Sequence, residues 1–298
     1  MEINAVLTES FEKWLRTLEY AESTVYASVR YVNDFFFYLE SSKITRLEAI
    51  QPETLSNYHK HLQDRKNKRF NCGLSNNYIT SNINAIKRFG RYLQETGKPF
   101  FEVNIKTKPD KETSKTILTQ AEIKALYKAC GNDTLGTRDR AILSVYYGCG
   151  LRRSEGINLN VSDILLKEKR VYVRRGKNYK ERYVPMTEAV KEDLETYIYT
   201  AREKIRGFKG AKPGSPDGSG QALFLSRHAK RMCGNAILER VHKLAKDAGV
   251  EKETGLHALR HSIATHLLQS GLALEEVSQF LGHASLESTQ IYTHLAYE

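Results

Sequence analysis

The sequence has 298 residues, a length that suggests about two domains. Apolar residues make up 40% and charged residues 27%, which is ordinary for a soluble protein. The formal net charge of +11 indicates a polyanionic partner, either nucleic acid or an anionic membrane surface. Of these the charge favours nucleic acid, and a basic protein without such a partner remains the alternative.

The sequence contains no run of 18 apolar residues, so it predicts no membrane-spanning helix. Its first 15 residues carry early acidic side chains and lack the apolar core of a signal peptide. The four cysteines are scattered without a CxxC pair, which fits reduced thiols better than disulfides or a zinc site. We therefore expect a cytoplasmic protein with no membrane partner.

Residues 1–103 predict a helical domain, with its clearest helices over 22–41 and 75–97. Apolar residues of the second helix recur at three-to-four spacing and form one stripe: Ile79, Ile83, Ile86 and Leu93. Gly97 and Pro99 are expected to end this helix.

Three basic residues of the second helix, Lys87, Arg88 and Arg91, lie off its apolar stripe. They are candidate contacts for DNA phosphates. A solvated basic face explains them equally well at this point.

Residues 104–117 are polar, rich in lysine and without periodicity, which is typical of a linker. The second domain is expected over 118–298. It begins with the capping box TQAE, in which Thr119 and Glu122 satisfy each other's backbone N–H groups.

Residues 169–186 alternate apolar and polar side chains around a polar centre, which predicts a β-hairpin with its tip near 176–180. Residues 207–221 are rich in Gly, Pro and Ser and predict a mobile surface loop. The remaining segments of this domain have helical patterns. The predicted fold class is therefore mainly α with a small antiparallel β-sheet, as a helical N-terminal domain followed by an α+β domain.

The stretch GLHALRHSIATHLL (255–268) predicts a helix whose core face is formed by Leu256, Leu259, Ile263 and Leu267. His257 and Arg260 are three residues apart and project from one side of it. An arginine beside a core needs an anionic partner, and a structural carboxylate pair is the ordinary explanation. His257 and His261 are spaced like a metal pair, but no HExxH glutamate lies between them.

The stretch LGHASLESTQIYTH (281–294) predicts a helix end at Gly282, then His283 in the turn and Tyr292 on the next helix. In YGCGLRRSEG (147–156) two glycines break a helix and Arg152 follows. Lys177 lies at the hairpin tip. Each residue alone has a structural explanation: a turn histidine, a packed tyrosine, a capping arginine and a solvated lysine.

Together these side chains suit one chemistry, the transfer of a phosphoryl group in DNA. Two arginines can bind the oxygens of a phosphodiester, and histidines can donate hydrogen bonds or move protons. A lysine can protonate a leaving oxygen, while a tyrosine phenol can attack phosphorus. Charge stabilisation and positioning would then suffice, so we expect no metal and no other cofactor.

The sequence resembles the tyrosine recombinases of the phage integrase family, and in particular the Xer-like members. The motifs that carry the resemblance are GLRRSE with Arg152, GKNYKER with Lys177, HALRH with His257 and Arg260, LGH with His283, and IYTH with Tyr292. Their order and spacing match throughout the second domain. The first domain resembles the family's core-binding domain more loosely, and Asn178 replaces a common glycine.

The resemblance implies a role for each residue. Arg152 and Arg260 would bind the scissile phosphate, which Tyr292 would attack to leave a 3′-phosphotyrosyl link and a free 5′-hydroxyl. His257 would be general acid and base, His283 would hydrogen-bond the phosphate, and Lys177 would protonate the 5′-oxygen, with Lys180 as a competitor. Glu155 would support Arg152.

The resemblance also implies partners: a double-stranded DNA recombination site and a homotetramer that exchanges strands on two duplexes through a Holliday junction. It suggests a bacterial, nucleoid-associated protein. Integration, excision, inversion and resolution remain equally open. The alternatives are relaxation of DNA by a type IB topoisomerase-like enzyme, and a catalytically inactive DNA-binding regulator.

Overall fold

The structure, a computed structural model, describes residues 2–67, 72–107, 116–174, 181–207 and 220–282. The chain divides into two compact units, residues 1–113 and 114–298. The division falls inside the segment expected to be a linker. Because residues 108–115 lie outside the described ranges, the predicted domain boundaries and the role of this segment stay predictions.

The described residues of the first unit form four α-helices: α1 (Glu2–Thr17), α2 (Glu22–Ser41), α3 (Pro52–Asp64) and α4 (Asn76–Glu95). Both helices predicted from the sequence are confirmed, α2 and α4. Ser75 caps α4 by accepting a hydrogen bond from the backbone N–H of Tyr78 at 3.2 Å. Gly97 follows the helix with a φ of +65°, the left-handed conformation in which glycine commonly ends helices.

The core of the first unit forms between α1, α2, α3 and α4. The predicted apolar stripe of α4 is confirmed, since each of its four residues is at most 4% exposed. Aromatic rings fill the space above the stripe, with Phe11 and Phe89 in edge contact at 5.3 Å between centroids. Burial of such rings is the main stabilising contribution that a small helical unit can have.

The second unit begins with α5 (Gln120–Ala129), whose predicted capping box is confirmed. The Glu122 N–H donates to Thr119 Oγ1 at 3.1 Å, and the Thr119 N–H donates to Glu122 Oε2 at 2.6 Å. The other helices in the described part of this unit are α6 (Thr134–Leu143), α7 (Arg153–Asn158), α8 (Glu188–Thr196), α9 (Arg202–Gly207), α10 (Gly234–Asp247), α11 (Leu256–Gln269) and α12 (Leu274–Leu281). Short π-helical turns extend α6 over Ser144–Gly148 and join α8 to α9 over Tyr197–Ala201.

Among the described residues the sheet is antiparallel, with strands β1 (Ile164–Leu165), β2 (Arg170–Val173) and β3 (Arg182–Pro185) in that order. The predicted hairpin is confirmed in its two strands, which pair Val171 with Val184 and Tyr172 with Tyr183. Its tip, 176–180, lies outside the described residues, as do residues 208–219 of the predicted loop. The sequence did not predict β1, because two residues are too few for an alternating pattern.

These elements confirm the predicted fold class, mainly α with a small antiparallel sheet. None of the helices described combines the length and apolar character needed to cross a bilayer.

Helix α11 is buried more widely than its apolar stripe predicts. Leu256 and Leu259 are 4% and 0% exposed, as expected, whereas Ile263 and Leu267 are only half-buried. The buried surface continues instead along Ala264 and Leu268, which pack with Val277 and Leu281 of α12 in a second small core. The prediction missed this side because it contains alanine, serine and threonine.

Candidate active site

The turn before α7 brings Arg152 towards the end of α12. Gly150 in this turn has a φ of +58°, and a Cβ added there would lie 3.0 Å from side-chain atoms of both Leu281 and Phe280. Glycine is needed because it adopts the left-handed conformation without strain and adds no atoms at the contact. Arg152 follows as the residue that flanks the N-terminus of α7.

Arg260, from the middle of α11, reaches the same place. Its Nη1 donates to the carbonyl oxygen of Gly150 at 2.5 Å, and its Nη2 donates to the carbonyl oxygen of Leu281 at 2.8 Å. Nη2 of Arg152 donates to the next carbonyl, that of Gly282, at 2.9 Å. Both guanidinium groups therefore bind the last carbonyls of α12, where the helix dipole favours positive charge.

Glu155, on the first turn of α7, is the carboxylate that the described residues contribute to this site. Its side chain is 1% exposed, and it accepts hydrogen bonds from Nη1 of Arg152 at 2.9 Å and from the Arg152 N–H at 2.8 Å. Nη1 of Arg260 lies 4.0 Å from Oε2 of Glu155. The expected contact between Glu155 and Arg152 is therefore present, and the same carboxylate also lies within ion-pair distance of Arg260.

A third arginine also binds Glu155. Arg182, the first residue of β3, donates from Nη1 and Nη2 to the two oxygens of Glu155, each at 2.9 Å. Burial alone would raise the pKa of Glu155, but the hydrogen bonds and charge of Arg182, then those of Arg152, lower it to about 2. Glu155 is thus ionised at neutral pH, and three guanidinium groups around one carboxylate leave the cluster with excess positive charge.

Arg182 was not predicted from the sequence as a site residue, although a signal was present. In a strand, alternate residues face the same side, so Arg182 shares the face of the buried Val184. A charged side chain on the buried face of a strand needs an opposite charge nearby. That requirement predicts a buried carboxylate but does not say which one.

His257 lies one turn before Arg260 on α11 and is exposed to solvent. Partial loss of hydration on its inner side lowers its pKa, and the positive charges of Arg260, Arg153 and Arg152 lower it further. The imidazole is therefore mainly neutral near pH 7, and a neutral imidazole can accept a proton. Its ring centroid is 6.5 Å from that of His261.

Lys177, His283 and Tyr292 lie outside the described residues. Their neighbours in sequence are described: β2 and β3 flank the segment that contains Lys177, and Gly282 directly precedes His283. Gly282 has a φ of +64°, as expected for the C-terminal cap of α12. The structure thus brings together Arg152, His257 and Arg260 of the six predicted catalytic residues.

The three basic residues of α4 make different contacts within the first unit. Lys87 donates from Nζ to the carbonyl oxygen of Ile105 at 3.2 Å and is otherwise exposed, as is Arg91. Arg88 is half-buried, stacks on Tyr20 at 5.6 Å, and donates to Ser28 Oγ at 3.4 Å. Within the described part of this unit, no carboxylate forms an ion pair with any of the three.

Known proteins resemble this chain in sequence and in fold. Residues 116–298 match the phage integrase family. The chain is 35% identical to tyrosine recombinase XerD of Oceanobacillus iheyensis over 225 residues, 75% of this chain and 73% of that protein. It is 31% identical to XerD of Staphylococcus epidermidis over 93% of this chain and 89% of that protein.

The fold is also similar to that of a solved structure, the integrase of transposon Tn1549 in complex with transposon right end DNA. The TM-score is 0.72 at 18% identity, and the match covers 96% of this chain and 94% of that one. The chain therefore belongs to the phage integrase family and is a tyrosine recombinase. It is a site-specific recombination enzyme, and neither a topoisomerase-like activity nor an inactive regulator is favoured.

Proposed function

We propose that this protein cuts and rejoins double-stranded DNA at a specific site through a covalent tyrosine intermediate. The arrangement of Arg152 and Arg260 supports this proposal most strongly. They come from positions 108 residues apart in the chain, yet both bind the carbonyls at the end of α12 and approach the carboxylate of Glu155. Such a pair suits one phosphodiester group, whose oxygens accept hydrogen bonds from guanidinium N–H groups.

The reaction begins with the attack of the Tyr292 phenolic oxygen on phosphorus. The bond from phosphorus to the 5′-oxygen breaks, so the tyrosine becomes linked to the 3′-phosphate and the other strand end leaves as a 5′-hydroxyl. The phenol loses one proton and the 5′-oxygen gains one. Rejoining reverses these steps. Because the phosphotyrosyl link preserves the energy of the broken phosphoester bond, no external energy source is needed.

Each remaining residue has one task in this scheme. Arg152 and Arg260 stabilise the negative charge that grows on the phosphoryl oxygens, and His283 donates a further hydrogen bond to them. His257, which its lowered pKa keeps mainly neutral near pH 7, accepts the proton of the phenol and returns it during rejoining. Lys177 protonates the departing 5′-oxygen.

The first unit is proposed to bind the DNA beside the cleavage point, as the core-binding domain of residues 1–103. Lys87, Arg88 and Arg91 would contact phosphates, since no carboxylate neutralises them among the described residues of this unit. Beside Arg88, a groove of about 250 Å³ between α2 and α4 is lined by the small polar side chains of Ser23, Thr24, Ser28, Ser81 and Asn84. Residues 104–117 would connect this domain to the catalytic domain of residues 118–298.

Two duplexes must be cut to exchange strands, so we propose that four copies act together and pass through a Holliday junction. The bacterial origin of the matched relatives suggests that the substrate belongs to a bacterial nucleoid. Whether exchange serves integration, excision, inversion or resolution depends on the DNA sites and not on this active site.

The test is covalent capture of DNA. A pool of duplexes with random sequence around one nick traps the intermediate, because the short fragment beyond the nick diffuses away after cleavage. Denaturing gels should show a protein–DNA adduct with the wild type, and the captured duplex then serves as substrate. Tyr292→Phe should still bind that duplex but form no adduct, whereas Tyr199→Phe, at an exposed tyrosine of the same unit, should react normally. An adduct formed by Tyr292→Phe would contradict the assignment of the nucleophile.

A further inference from the structure

Arg182, the first residue of β3, contacts the same carboxylate as the arginine pair, Arg152 and Arg260. It binds the two oxygens of Glu155 through separate hydrogen bonds of 2.9 Å, and such bidentate pairs are the strong form of guanidinium–carboxylate contact. Arg152 makes only one side-chain contact with the same carboxylate, and Arg260 lies at 4.0 Å. Arg182 is therefore the strongest side-chain partner of Glu155 among the described residues.

The other side of Arg182 lies against the end of α12. A Cβ added to Gly282 would lie 2.6 Å from Nε of Arg182, so only glycine allows this approach. Nε itself is buried and has no hydrogen-bond partner among the described residues. A buried donor without a partner costs free energy. The guanidinium is therefore held at this position by its contacts with Glu155 and α12, although one of its N–H groups is not satisfied there by the described residues.

The contacts of Arg182 decide which contacts remain for Arg152. Each carboxylate oxygen accepts a limited number of hydrogen bonds, and Arg182 takes one on each. Without Arg182, both oxygens of Glu155 would be free to bind Arg152. The N–H groups of Arg152 would then turn towards Glu155. The other outcome is protonation of Glu155, because burial would then dominate its pKa.

We propose that Arg182 is a positioning residue for the recombination reaction. By binding both oxygens of Glu155, it keeps the carboxylate ionised and leaves N–H groups of Arg152 available to the scissile phosphate. Because Arg182 begins β3, it also fixes the end of the hairpin that contains Lys177 relative to the arginine pair. This inference rests on the proposed function, since it assigns a role within the same cleavage step.

The test measures single-turnover cleavage of the captured nicked duplex at saturating protein over a range of pH, together with noncovalent DNA binding. Arg182→Ala should lower the cleavage rate roughly 10²-fold, as expected when a reacting group is misplaced by about 1 Å, with unchanged DNA affinity. The deficit relative to the wild type should grow as the pH falls, because Glu155 then becomes protonated in the variant. A purely structural role would lower the fraction of active protein equally at every pH.

Arg174→Ala is the matched control, because Arg174 of the same hairpin binds another buried carboxylate, that of Asp163, at 2.7 Å from Nε. It should cleave at close to the wild-type rate. Arg182→Lys retains the charge but not the two parallel contacts, so it should be slower than the wild type by a factor independent of pH. It also serves as the test if Arg182→Ala does not fold.

Epistasis supplies a second readout. In a Glu155→Gln background, Arg182→Ala should cause little further loss, because the carboxylate through which it acts is gone. Equal rates for Arg182→Ala and Arg174→Ala, independent losses in the double variant, or a wild-type rate for folded Arg182→Lys would overturn the inference and leave the proposed function intact. If the wild-type chain forms no phosphotyrosyl adduct, both are overturned.

Discussion

Nη1 of Arg260 donates a hydrogen bond to the carbonyl oxygen of Gly150 at 2.5 Å, across 110 residues of the chain. This contact connects the middle of α11 to the turn that precedes Arg152. It requires the turn to have one particular conformation, with Gly150 at a φ of +58° beside Leu281. The two arginines are therefore held in place by the same turn.

Gly150→Ala should destabilise the second unit by more than its conformational cost alone. A left-handed alanine costs about 1–2 kcal/mol, and here its Cβ would also lie 3.0 Å from Leu281 and Phe280. Urea unfolding measures the loss. The matched control is Gly249→Ala, where φ is +68° but no atom lies within 4 Å of the new Cβ. Equal losses of unfolding free energy at the two positions would show that the contact with α12 has no cost.

Glu155→Gln should destabilise the protein at neutral pH and much less in acid. The folded-state pKa of Glu155 is about 2, below its ordinary value of 4.5. Its ionisation therefore contributes stability that is complete above about pH 4.5 and is lost as the pH falls towards 2. Removing one member of a buried ion pair costs about 3–5 kcal/mol.

Unfolding curves of Glu155→Gln and wild type at neutral and acid pH give the measurement. The difference in unfolding free energy should shrink as the pH falls below 4.5. Glu203→Gln provides the control, because Glu203 is 51% exposed in its pair with Arg206 and such pairs contribute little. A difference that stayed constant with pH would contradict the assigned ionisation of Glu155.

Arg153→Gln should shift the pH dependence of cleavage through His257. The charge of Arg153 is one of the causes that lower the pKa of His257, so its removal raises that pKa. If neutral His257 accepts the proton of Tyr292, the rate falls as the pH drops through this pKa, and the fall should begin at a higher pH in the variant. Arg206→Gln, which removes a charge that does not act on His257, should retain the wild-type profile. Coincident profiles for the wild type and Arg153→Gln would argue against His257 as the base.

Lys177→Ala should slow cleavage by roughly 10²–10⁴-fold, as expected for loss of a general acid. A duplex with sulfur in place of the bridging 5′-oxygen should restore the rate, because a thiol with a pKa of roughly 8.5 leaves without a proton. The sulfur substrate should not rescue Arg152→Ala, whose defect is unpaired phosphate charge. Rescue of Lys180→Ala instead would move the acid by three positions, and rescue of neither lysine variant would direct attention to His257.

Neutralisation of the basic residues of α4 should remove phosphate contacts, and should therefore weaken DNA binding and reduce its dependence on salt. Each phosphate contact contributes a slope of roughly −0.9 in log affinity against log salt, so Lys87→Ala and Arg91→Ala should each reduce the slope by about one. Lys13→Ala on α1, where Lys13 already pairs with Glu9 at 2.7 Å, is the matched control. Unchanged slopes for Lys87→Ala and Arg91→Ala would show that this face of α4 does not meet DNA.

Local chemistry explains what the sequence alone could predict. The contact of Glu155 with Arg152 was expected from the family resemblance. The box of Thr119 and Glu122 and the cap at Gly282, in contrast, each join residues at most four positions apart. Backbone geometry determines such contacts, so spacing alone predicts them.

The convergence of Arg182 on Glu155 was not predictable, because it joins a strand to a helix 27 residues earlier. For the same reason, no pattern indicated that the half-buried Tyr147 makes a hydrogen bond of 2.9 Å with His266. Spacing along the chain contains no information on which distant surfaces meet. Only packing of the complete unit brings these side chains together.

The arginine pair is bound to α12 through main-chain oxygens, those of Leu281 and Gly282. Every residue type has a carbonyl group at this position, so replacing Leu281 by another apolar side chain preserves the acceptor. Insertion or deletion of a single residue, in contrast, rotates each following carbonyl by about 100° around the helix axis. Gly282 must stay glycine beside Arg182, but the other positions at the end of α12 should tolerate exchange among apolar residue types as long as the length of the helix stays fixed. Engineered variants of this enzyme should follow the same rule.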